Sequence, residues 1–110
     1  MKGFYMKNKW NRRVHDMIVD ELFNRLSKKG KPNLQKNLIY CVEGVEGEVD
    51  ILAHTKETNI YYFYEVKTSY YRKSHSKALK QFSRYQRTHP EQNVKGIFVS
   101  PQKILRMRFD

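Results

Sequence analysis

The sequence predicts a mixed α/β (α+β) fold: a small central sheet flanked by two helices, in the order α-β-β-β-α-β. Three observations carry that reading. Apolar residues recur at helical spacing from Asn11 to Leu26, and again between Ser69 and Thr88. Between these segments lie short β-branched and aromatic runs separated by turn residues. After the second helix, the run Val94–Ser100 supplies a strand that returns to the sheet, parallel to an earlier one.

Residues 1–10 read as a basic arm in which Lys2, Lys7 and Lys9 mingle with Phe4, Tyr5 and Trp10. Such an arm suits phosphates and bases, or equally a terminus whose Trp10 covers the core. In the first helix Asn11 is the expected N-cap, and Val14, Met17, Ile18, Leu22 and Leu26 form one buried stripe bordered by His15. Gly30 and Pro32 stop it. Asn33–Gln35 reads as loop, Leu38–Val42 as the first strand, Gly44–Gly47 as a turn and Glu48–His54 as the second strand. Lys56–Asn59 is a polar hairpin turn, and Ile60–Thr68 a central third strand. The second helix directs Ala78, Leu79, Phe82 and Tyr85 to the core and stops at Pro90. Ile104–Phe109 alternates apolar and basic residues, as a short edge strand does.

At 110 residues the chain has the length of one domain, 1–110, with one modest core fed by eight Tyr, six Phe and one Trp. Twenty-two Lys and Arg against 11 Asp and Glu leave a net charge of +11. That excess suits a polyanion, most simply DNA, with an acidic membrane surface as the competing partner. No 18-residue apolar run exists to span a bilayer, and the N-terminus lacks the apolar stretch of a secretory signal. The single cysteine, Cys41, fits a reducing, cytoplasmic setting and reads as a small core residue. It excludes an intrachain disulfide and a four-cysteine zinc or iron–sulfur cluster.

Two short stretches hold the chemistry. In Gly47-Glu48-Val49-Asp50-Ile51-Leu52, Val49 and Ile51 alternate with Glu48 and Asp50. In Glu65-Val66-Lys67, Glu65 and Lys67 share a strand face. If the two strands pair, Asp50, Glu65 and Lys67 converge. Two carboxylates and an ammonium suit a hard divalent cation and a phosphate, or form a cross-strand salt bridge between solvated faces. On the second helix Lys73, Lys77, Lys80, Arg84 and Arg87 step by four, three, four and three into one stripe, with no acid between Thr68 and Pro90. An ordinary solvated face would mix signs; this one suits phosphate contact.

Together these residues resemble the PD-(D/E)XK nuclease superfamily, whose core order is also α-β-β-β-α-β and which adopts a restriction-endonuclease-like fold. Gly47-Glu48-Val49-Asp50 and Glu65-Val66-Lys67 match its core motif, with Val49 in place of proline. His15 on the first helix, Lys67-Thr68 closing the third strand and Gln81-Phe82-Ser83-Arg84-Tyr85 on the second helix are similar to the RecB-type branch, which includes CRISPR-adaptation exonucleases. The resemblance runs over about residues 12 to 100. It implies Asp50, Glu65, the Val66 carbonyl and His15 as ligands of Mg²⁺ or Mn²⁺. Asp16 and Glu21 are the alternatives to His15, since other branches use a helix-one glutamate. Lys67 is implied to orient water or stabilise transition-state charge, and Gln81 and Tyr85 to lie beside the site. The iron–sulfur cysteines of many RecB-type enzymes are missing here.

The expected activity is therefore metal-dependent hydrolysis of DNA phosphodiester bonds, in replication, recombination or repair. A Holliday-junction resolvase shares this fold and chemistry, but usually has a helix-one glutamate and lacks Q-x-x-x-Y. A non-catalytic DNA-binding protein on the same fold is the alternative of another class. A homodimer or a protein partner would extend so short a chain, through an edge such as Ile104–Phe109.

Overall fold

A computed structural model describes residues 2–30 and 33–108, with side chains from Arg12 onward. Its elements are α1 (Lys2–Lys28), β1 (Asn33–Val42), β2 (Val45–Thr55), β3 (Ile60–Val66), α2 (Arg72–Thr88), β4 (Asn93–Val99) and β5 (Ile104–Met107). The five strands form one mixed sheet in the order β1-β2-β3-β4-β5. Only β3 and β4 run parallel; the remaining neighbours are antiparallel. The fold is the mixed α/β architecture expected, with β3 central and β5 at an edge. No helix among the described residues is long and apolar enough to cross a membrane.

Each helix covers one face. On one, Val19 and Leu26 of α1 pack with Ile51, Ala53, Tyr64, Val66 and Val99. On the other, Ala78, Phe82 and Tyr85 of α2 pack with Tyr40, Val49, Leu52, Phe63 and Phe98. Parallel β3 and β4 need a long crossover between them, and α2 is that crossover.

Several expectations need correction. Helix α1 starts at Lys2, so Asn11 lies inside it and not at its N-cap; the backbone of the arm is helical, and its side chains, Trp10 included, lie outside the described residues. Met17 is 69% exposed, whereas Val19 is fully buried. Two residues along a helix are about 200° apart, so docking through Val19 turns Met17 to solvent. Asn33–Gln35 belong to β1, because they pair with Leu52–His54. Strand β3 ends at Val66, and α2 begins at Arg72 rather than Ser69. Cys41 is exposed, because its neighbour Tyr40 takes the buried side of β1.

The β1–β2 turn is also shorter than expected. It is the pair Glu43-Gly44, with φ of 50° and 80°, the doubly left-handed pattern that suits the twist of two-residue hairpins. Gly47 therefore lies within β2, opposite Tyr40, and the Tyr40 ring occupies the space where a Cβ would stand. The glycine of the G-x-V-D stretch is thus required by packing.

Candidate active site

The site begins with an irregularity in the sheet. Register along β1 and β2 is constant from Asn33↔His54 to Val42↔Val45, but the ladder omits the position where Asn37 faces Asp50. Asn37 has φ of 54° there. The strands exchange faces at that point: Val49 packs with the α2 cluster and Ile51 with the α1 cluster. The alternation expected for Val49 and Ile51 is therefore broken. Val49, Asp50 and Ile51 are buried in succession, and Asp50 is only 6% exposed.

Asp50 is held from two sides. Pairing of β2 with β3 stops at Ile51↔Tyr64. Beyond it, the Val66 N–H donates to Asp50 Oδ2 (2.7 Å), taking a side-chain oxygen as acceptor. From α1, His15 Nε2 donates to the same oxygen (3.2 Å). The other ring nitrogen, Nδ1, lies 3.2 Å from Asp16 Oδ1. Only an imidazolium donates through both nitrogens, so the two carboxylates favour charged His15. Its pKa is pushed up to about 9, mainly by the hydrogen bond it donates to Asp50, with burial opposing the rise. Asp16 thus orients His15, a carboxylate–histidine pairing that fixes a ring's direction.

Glu65 and Lys67 form the second half. Glu65 is 3% exposed. Lys67 follows the last residue of β3, its N–H donating to the Val99 carbonyl (2.9 Å). Its Nζ lies 3.3 Å from Glu65 Oε2 and donates to Gln81 Oε1 on α2 (3.2 Å). Burial, with the Asp50 charge adding to it, raises the Glu65 pKa well above the usual carboxylate range, while Lys67 pulls it down. The structure thus gathers His15, Asp50, Glu65, Val66, Lys67 and Gln81 where β2 and β3 part.

Other expected site residues lie elsewhere. The Tyr85 hydroxyl donates to Gln92 Oε1 (2.7 Å), and its ring stacks on His89 at 4.0 Å in the core. Glu21 is exposed and pairs with Arg25 (2.9 Å). Lys73, Lys77, Lys80, Arg84 and Arg87 are all exposed along α2. None forms an ion pair among the described residues; Arg84 reaches only the Glu46 carbonyl, at 3.5 Å.

As a cation site, the donors fit in kind. One imidazole and one carboxylate touch, and a second carboxylate lies close enough for Asp50 to raise its pKa. A cation would relieve that repulsion between dry acids. Among the described residues no three His, Cys, Asp or Glu side chains already form a metal-binding group, and Glu65 is paired with Lys67. Comparison with family models, with curated proteins and with solved structures finds no match for this chain.

Proposed function

We propose that the protein is a metal-dependent deoxyribonuclease of the PD-(D/E)XK type, closest in pattern to its RecB-type branch. The observation that carries this reading is the gathering of six residues from α1, β2, β3 and α2 at the one point where β2 and β3 separate. A salt bridge on a solvated sheet face would not need Asp50 and Glu65 to be buried together.

His15, Asp50 and Glu65 would hold Mg²⁺ or Mn²⁺, with the Val66 carbonyl as a further donor. Bound there, the ion supplies Lewis acidity at phosphorus and eases deprotonation of water. Asp16 keeps the His15 ring aimed at Asp50. The Val66 N–H fixes the Asp50 carboxylate. Gln81 and Glu65 hold the Lys67 ammonium in place, where it steadies the charge that builds on the phosphate oxygens. The α2 stripe would hold the sugar–phosphate backbone without reading sequence. A cytoplasmic setting suits this chemistry.

The test is cleavage of end-labelled linear single strand, linear duplex, single-stranded circle and four-way junction, each with Mg²⁺, Mn²⁺ or EDTA. Cleavage is expected only with metal, with Lys67→Ala and Glu65→Ala reducing it at least about a hundredfold. Symmetrical nicking of the junction alone would favour a resolvase. Binding of DNA without cleavage of any substrate would favour the non-catalytic reading.

A further inference from the structure

Between Lys67 and α2 the chain makes a short turn that carries two large exposed rings. Tyr70 is 37% and Tyr71 55% exposed. The turn is tightly fixed. Buried Ser74 accepts the Tyr71 N–H (3.0 Å) and lies within hydrogen-bond distance of the carbonyls of Ser69 (3.1 Å) and Tyr71 (2.8 Å). Gln102 Oε1 accepts the Tyr70 N–H (3.2 Å). Tyr70 sits edge-on to Phe98, with ring centroids 5.7 Å apart, and Lys103 Nζ lies 4.7 Å over its ring.

This turn adjoins the site. Phe98 is the register partner of Glu65 on the neighbouring strand, about 5 Å away, so the two side chains share a face. Tyr71 is the fourth residue after Lys67, a reach of at most about 14 Å. Arg72 and Lys73, both exposed, follow directly, and Lys103 stands beside Tyr70.

We propose that Tyr71 is a stacking platform for an unpaired base of the nucleic acid, with Arg72, Lys73 and Lys103 contacting the flanking phosphates. The proposal rests on the nuclease reading for the purpose of the platform, but its chemistry is its own. An open aromatic face on a well-tied backbone, among cations, is what holds single strands without regard to sequence. A fully paired duplex keeps its bases stacked on each other and offers none to this ring. Tyr71 therefore selects substrates that present an unpaired nucleotide next to the site.

The test is binding in EDTA, where no cleavage occurs, of a fluorescent single-stranded oligonucleotide and a blunt duplex to wild type, Tyr71→Leu and Tyr71→Trp. Thermal melts check that each variant folds. Tyr71→Leu keeps apolar bulk without a π-face. It is expected to lose about tenfold on the single strand, with duplex binding within about twofold, while Tyr71→Trp binds the single strand at least as well as wild type. A 2-aminopurine in the strand is expected to be quenched by wild type and Tyr71→Trp alone. Unchanged single-strand binding by Tyr71→Leu, or an equal loss on both substrates, overturns the proposal. Failure of wild type to bind either nucleic acid overturns it together with the nuclease reading. Selective loss on the single strand in a protein that never cleaves overturns only the latter.

Discussion

A carboxylate as buried as Glu65, with a second one close by, works against folding, and Lys67 offsets only part of that cost. Glu65→Gln is therefore expected to stabilise the metal-free protein, by about 1–3 kcal/mol near neutral pH, while abolishing cleavage. Denaturant unfolding at pH 5 and pH 8 checks it. The gain belongs to the charged form, so it grows with pH; a variant less stable at pH 8 would make Glu65 a structural partner of Lys67. Tyr85 makes the opposite prediction. Its hydroxyl serves Gln92, and burial pushes its pKa up to about 12 from 10.0. A raised pKa contributes stability that is whole below pH 10 and lost as pH climbs towards 12. Tyr85→Phe should keep cleavage within a few-fold, lose about 1 kcal/mol at neutral pH and flatten that alkaline fall. A large loss of cleavage would return Tyr85 to the chemistry. Residue type and order made His15, Asp50, Glu65, Lys67 and Gln81 legible in the sequence. Spacing could not say where a tyrosine's hydroxyl points: Tyr85 and Gln81 lie one turn apart on α2, yet one faces Gln92 and the other Lys67.

At the scale of elements, α1 and α2 treat charge differently. On α1, Glu21 pairs with Arg25, Asp20 with Lys36 and Asp16 with His15. On α2 the cations face solvent with no acid to pair with among the described residues. Lys77→Ala with Arg84→Ala should therefore weaken DNA binding and reduce the slope of log K against log salt by about 1.4–1.8, while leaving the melting temperature nearly unchanged. Titrations between 50 and 200 mM salt measure it, and an unchanged slope would make the stripe an ordinary solvated face. Both helices, the hairpin order and the parallel return of β4 were legible, because each rests on periodicity or on a turn. Ends were less so. Asn33 and Gln35 are polar, and only pairing with β2 makes Asn33–Gln35 strand. Ser69 resembles a helix start, but Ser74 ties it and Tyr71 into the turn before α2.

At the scale of the molecule, what was hidden in the sequence is the exchange of faces at Asn37 and Asp50. Strict alternation would place Val49 and Ile51 together. The sheet instead rotates there, and three consecutive side chains go inward because one helix waits on each side. Asp50 is the middle one, so the carboxylate is buried by the architecture as a whole and not by its own strand.

On the proposed nuclease reading, that arrangement bears on when the site is complete. Asp50 and Glu65 come from adjoining strands closed by the Lys56–Asn59 turn, and such hairpins form early and locally. Their partners arrive from far along the chain: His15 is 35 residues before Asp50, and Gln81 reaches Lys67 from the crossover helix on the opposite face. A nascent or partly unfolded chain that has made its hairpins but not docked both helices holds both acids, and the Val66 N–H beside Asp50, without His15 and Gln81. If the proposed nuclease activity holds, the chain's own folding is then a safety catch: nucleic acid drawn early to so basic a polypeptide would meet an unfinished blade.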